Sequence, residues 1–95
     1  MVGDPDEEIR TAERMIASAV EDGADSLATV SLAEARSALT EAQNSRTSRE
    51  WSALKAKEAA ASAAYARAVA TRLKAERART EAKTALDALP PEGAR

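Results

Sequence analysis

Cysteine, histidine and phenylalanine are absent from the 95 residues, and glycine and proline occur three times each. Without cysteine there is no disulfide and no thiol nucleophile, and without histidine the commonest general base and the usual zinc ligands are missing. One tryptophan and one tyrosine are the only aromatics. A β-sandwich or a conventional α/β domain, each needing many large apolar side chains, is therefore excluded. What the sequence does have is alanine, 25 residues of it, followed by seven leucines. Long stretches of Ala, Arg, Lys, Glu and Leu, the strongest helix formers, predict an all-α chain. Runs such as 59 to 66 end at a charge, so no stretch approaches the ~18 apolar residues of a membrane span.

The formal net charge of -2 conceals a polarity along the chain. Residues 4 to 25 carry eight acids against Arg10 and Arg14, whereas residues 67 to 89 carry six bases against Glu76, Glu81 and Asp87. The basic run reads as a solvated face or as the partner of the acidic segment rather than as a nucleic-acid site, because acids interrupt it and no aromatic follows Tyr65.

Asp4, Pro5 and Glu7 form a helix start, with Asp4 as cap and Glu7 closing a capping box. Ile9, Ala12, Ile16 and Ala19 then recur at helical spacing, and Gly23 ends the pattern. After a joint at 24 to 30 a second stripe follows, Leu32, Ala35, Leu39 and Ala42, with Thr29 or Ser31 as the cap. The polar segment 44 to 48 is a turn, in which Thr47 and Glu50 make another capping box. From there nothing interrupts a helix until Pro90 and Pro91. Three helices are thus expected, at about 5 to 23, 30 to 43 and 48 to 88, within a single domain over 5 to 89. Residues 1 to 4 form an N-terminal tail and 90 to 95 a C-terminal tail or linker. The last helix has a stripe running Ala56, Ala60, Ala63, Ala66 or Arg67, Ala70, Leu73 or Lys74, Ala78, Ala82, Ala85 and Leu89, closer to an 11-residue repeat than to a heptad.

Lengths and charges favour a long antiparallel hairpin. Residues 5 to 43, kinked at Gly23, match the length of 48 to 88, and folding back at 44 to 47 sets Glu21 near residue 70, Glu13 near 78 and Glu7 near 84. The alternative is a compact up-down-up three-helix bundle, which makes the first helix parallel to the last and leaves the C-terminal half of the last helix projecting. With few large side chains, a lone hairpin leaves each seam open on one side, so a second hairpin, making a homodimer, or a helical protein partner is expected to cover it.

No catalytic constellation, phosphate loop or metal-ligand spacing is present, and no cofactor or small-molecule substrate is implied. The chain reads as a non-enzyme. Trp51 and Tyr65, 14 residues apart, lie on one face of the long helix; they are expected to be its large packing residues and are the candidate partner contacts, Trp51 first because it adjoins the turn.

Residues 12 to 24, AERMIASAVEDGA, followed by 32 to 42, LAEARSALTEA, resemble an alanine-rich family of bacterial envelope lipoproteins of unassigned function, some followed by an OmpA-like domain. The pattern is a glycine-alanine joint, a second alanine and leucine helix, a turn and a long alanine-rich helix, and the likeness extends over about 9 to 88. Met15, Asp22 and Thr29 depart from residues common in the family. The resemblance implies a periplasmic, outer-membrane-anchored helical spacer or adaptor, attached by a lipid on a cysteine that these 95 residues do not contain. The alternative function is a cytosolic, chaperone-like protein that holds a partner helix in a groove.

Overall fold

The computed structural model describes residues 5 to 44 and 48 to 90. Four helices account for nearly all of them: α1 (Pro5–Glu21), α2 (Ala24–Leu27), α3 (Thr29–Asn44) and α4 (Arg49–Asp87). Asp4 and Thr47, two of the expected caps, lie outside the described residues.

The stripes read from the sequence are the buried faces of the first two long helices. Ile9, Ala12, Ile16 and Ala19 are buried on α1, and Leu32, Ala35 and Ala42 on α3, with Leu39 partly buried beside them. α1 begins at Pro5 and carries Asp6, Glu7 and Glu8 in its first turn, where the helix dipole favours acids. α4 is capped by Ser48, whose hydroxyl accepts from the Trp51 amide at 3.4 Å.

The joint is more ordered than expected. Gly23 has φ +90°, a left-handed conformation that costs glycine little, and its amide donates to the Val20 carbonyl at 2.9 Å. Instead of a non-helical run over 24 to 30, a single turn of helix follows at α2, and the Ala28 amide donates to Ala24. The Thr29 hydroxyl donates to the Asp25 carbonyl at 3.1 Å, so Thr29 ties the joint to α3 through its predecessor helix rather than capping α3. α1 accordingly stops at Glu21, two residues short of Gly23.

The order of contacts along α4 corrects the antiparallel hairpin. Ile9 at the start of α1 shares a core cluster with Ala42 and Ala56, where the hairpin would place it near residue 82. Asp22 at the other end of α1 pairs with Arg67, and Gly23 lies beside Lys74. As the chain advances along α1, its partners on α4 advance too, so these helices are parallel. α3 runs the opposite way: Leu32 and Ala35 belong to the cluster containing Ala63, Ala66 and Ala70, whereas Ala42 meets Ser52. α1, α3 and the first half of α4 therefore pack side by side, up, down and up.

Burial explains why charge did not decide the topology. Exposed ion pairs contribute about 0 to 1 kcal/mol each, while burying Ile9, Ile16 or Leu32 contributes roughly 1.5 to 3 kcal/mol. The bundle surrounds these side chains with two neighbouring helices. A hairpin supplies only one.

Candidate interaction surface

α4 carries two alanine faces. The inner one, Ala53, Ala56, Ala59, Ala63, Ala66 and Ala70, is buried against α1 and α3. Continuing its phase beyond Ala70 gives Lys74, Arg77, Glu81 and Thr84, all exposed. The seam turns polar where the α1–α2 corner ends, and α4 leaves the bundle there. At 1.5 Å per residue, 71 to 87 extend roughly 26 Å beyond it.

The outer face comprises Ala64, Ala68, Thr71, Ala75, Ala78, Ala82 and Leu86, at steps of three or four. Every one of these residues is exposed, Leu86 by 67% and the following Leu89 by 62%. The face starts on the bundled half of the helix and continues without interruption along the projecting half. Where it passes α1 it becomes one wall of an open groove lined by Met15 of α1 and, on α4, by Ala64, Arg67, Ala68, Thr71, Arg72 and Ala75. Ala78, Ala82, Ala85 and Leu89, expected to extend the packed seam, are all solvent-facing. A stripe drawn through alanines can drift between faces, because alanine occupies both.

Trp51 and Tyr65 do not fill the core: they are 48% and 63% exposed. This corrects their expected packing role. Trp51 stands in the first turn of α4, and the Lys55 ammonium lies 4.8 Å from its ring centroid, a cation–π contact. Tyr65, four turns further on, borders a second shallow groove with Ser31, Glu34, Ala61 and Ser62. Leu54, between them, is also half exposed. The aromatics share a side of α4 without forming a joint site.

Two residues the sequence reading passed over organise the turn end of the bundle. Ser52 is fully buried, and its hydroxyl donates to the Ala42 carbonyl at 2.7 Å, fastening α4 to the last turn of α3. Its position four before Ala56, in phase with the inner seam, was the available signal. Lys55 reaches Glu41 of α3 at 3.1 Å and Glu58 on its own helix at 3.0 Å. The hydrogen bonds that the Lys55 ammonium donates, to Glu58 first and Glu41 second, raise its pKa above the ordinary 10.5, against a smaller opposing effect of desolvation. A raised amine pKa stabilises the fold fully below the unfolded-state value, and the contribution disappears as pH rises through the folded-state value. The stability advantage of the native chain over Lys55→Met is therefore expected to shrink above about pH 10.5. Thermal melts of both proteins at pH 8 and at about pH 11.5 check this, and an advantage unchanged between them would contradict it.

Among the described residues no helix is long and apolar enough to cross a membrane, and no group of three acids is placed to hold a metal ion. No family model, no curated protein and no solved structure matches the chain.

Proposed function

We propose that the protein is a non-catalytic helical interaction module, in which the three-helix bundle is a base that holds the second half of α4 outward for a helical partner. The observation that carries this reading is the uncovered outer face of α4, seven residues at helical spacing from Ala64 to Leu86, of which Leu86 is 67% exposed and is followed just past the helix by Leu89 at 62%. A solvated helix has no need of large apolar side chains there, and contiguous apolar faces on helices are the usual docking surface for another helix. The resemblance of the Gly23 joint and its flanking helices to envelope lipoproteins supports placing this module in the bacterial envelope as a spacer or adaptor.

Deletion of residues 72 to 95 tests the reading. The shortened chain should still melt cooperatively, because buried residues end at Ala70, and it should lose the complexes that the full chain forms in native electrophoresis of the expressing cells. Complexes that survive the deletion would overturn the proposal. Cell fractionation tests the location separately: a protein wholly in the cytosol removes the envelope placement and favours the cytosolic helix-binding alternative.

A further inference from the structure

Resting on this reading, we propose that the helical partner is acidic and that it docks in the groove between α1 and α4, where its carboxylates meet Arg14, Arg67 and Arg72. The groove follows from the topology. Because α1 and α4 run parallel, they leave a straight furrow on each side of their line of contact, and α3 fills one of these through Leu32 and Ala35. Among the described residues no helix fills the other. It consists of two cavities, of about 380 and 650 Å³, which share Met15, Ala64 and Arg67 and so form one trough. On α4 the trough runs from Ala64 to Ala75, roughly 16 Å or three turns, and it opens onto the projecting half of the helix. A helix laid there would complete a four-helix arrangement.

The side chains of the trough decide what kind of helix fits. Its floor is apolar where Met15 and Ala64 meet, whereas every charged side chain lining it is an arginine, Arg14 on α1 and Arg67 and Arg72 on α4. Each guanidinium carries five N–H donors in a planar fork that matches a carboxylate at two points. The bonds within the chain use few of them. Arg67 reaches Asp22 through Nε, and Arg14 donates from one Nη to the neutral Thr11 hydroxyl at 3.2 Å. Arg72 lies 3.9 Å from Glu76, too far for a hydrogen bond. Asp22 and Glu76 offset part of the positive charge, but neither lines the trough.

Along the projecting half the sign persists, since Lys74, Arg79 and Lys83 belong to a segment with six bases against three acids between 67 and 89. A partner helix with leucines along one stripe and Asp or Glu beside it satisfies both the floor and the walls. A basic or neutral helix would cover the guanidiniums without supplying a counter-charge, which is costly.

Fluorescence anisotropy with labelled helical peptides tests this. One probe of about 18 residues, enough to span the trough, carries leucine at every third or fourth position with alanine and glutamate between, and its twin has lysine for each glutamate. If net charge governed binding, a chain of formal charge -2 would favour the lysine peptide. The glutamate peptide should instead bind at least about 10-fold more tightly. Arg14→Gln combined with Arg72→Gln, both at exposed positions, should abolish this preference while the thermal melt stays unchanged. Arg10→Gln combined with Arg36→Gln removes the same charge outside the trough and should leave the preference intact. Equal binding of the two peptides, or equal loss in both double variants, would overturn the proposal. So would a labelled oligonucleotide that binds as tightly as the glutamate peptide and depends equally on Arg14 and Arg72, since the trough would then hold any polyanion. No acidic preference, with cellular complexes that still vanish on deletion of 72 to 95, rejects the acidic partner alone and leaves the interaction module standing. Complexes that survive the deletion reject the module, whichever peptide binds.

Discussion

Replacing Leu32 by alanine is expected to lower the unfolding free energy by about 3 to 4 kcal/mol, the range in which large-to-small core substitutions leave a cavity that does not close. Leu32 is 1% exposed and is the largest fully buried side chain in the bundle. Its cluster consists mainly of alanines, Ala19, Ala24, Ala28, Ala35, Ala63, Ala66 and Ala70, with Ile16 beside them. Alanines have no rotamers with which to refill the space, so the helices themselves would have to move. Stabilities of about 0.05 to 0.15 kcal/mol per residue imply roughly 5 to 14 kcal/mol for a chain of this length, so the substitution removes a large fraction of the total. Urea unfolding followed by circular dichroism measures it. A loss below about 1 kcal/mol would mean that Leu32 is not central to the core.

The second large effect is expected from adding volume rather than removing it. Ala63 is completely buried in the middle of the inner seam, in a cluster to which both α1 and α3 contribute, and Ala63→Leu forces these helices away from α4. Overpacking of this kind costs about 1 to 3 kcal/mol, and an alanine seam flanked by backbone on two sides lies at the upper end. Ala64, the next residue, is exposed on the outer face. Ala64→Leu in dilute protein is expected to change stability by no more than about 0.5 kcal/mol. The contrast between neighbours is the measurement that matters. Similar losses at both positions would place the inner seam in a different phase.

Much of the local structure was legible because helical periodicity and capping are properties of a few consecutive residues. Ile9 to Ala19 and Leu32 to Ala42 mark their own buried faces, since a larger side chain at every third or fourth position leaves one choice of side. Pro5 at the first helical position and the stop before Pro90 follow from the missing amide and the fixed backbone angle of proline. In α4 the same method lost its footing. Alanine lines both the inner and the outer face, so the stripe drawn through Ala63, Ala70, Ala78 and Ala82 passed from a buried face to an exposed one. Trp51 misled in a related way: an aromatic was expected to pack, yet it sits outside the inner seam, against the ammonium of Lys55.

By itself the sequence determined that the chain is helical, where the principal helices run, which faces of α1 and α3 are buried, and that Gly23 interrupts the first half. Only the tertiary structure decided that the chain reverses there instead of bending, and hence that α1 lies parallel to α4. A glycine at φ +90° followed by a short joint is compatible with either course in the sequence. The choice depends on how much apolar surface each arrangement removes from water, a quantity summed over residues far apart in the chain. Ile9, Ala42 and Ala56 meet in one cluster. Their encounter outweighs the complementary charges because burial of an isoleucine contributes more than an exposed ion pair does. The same reversal leaves the second half of α4 without an intramolecular neighbour, so the outward face from Ala64 to Leu86 is a consequence of topology that no local pattern could reveal.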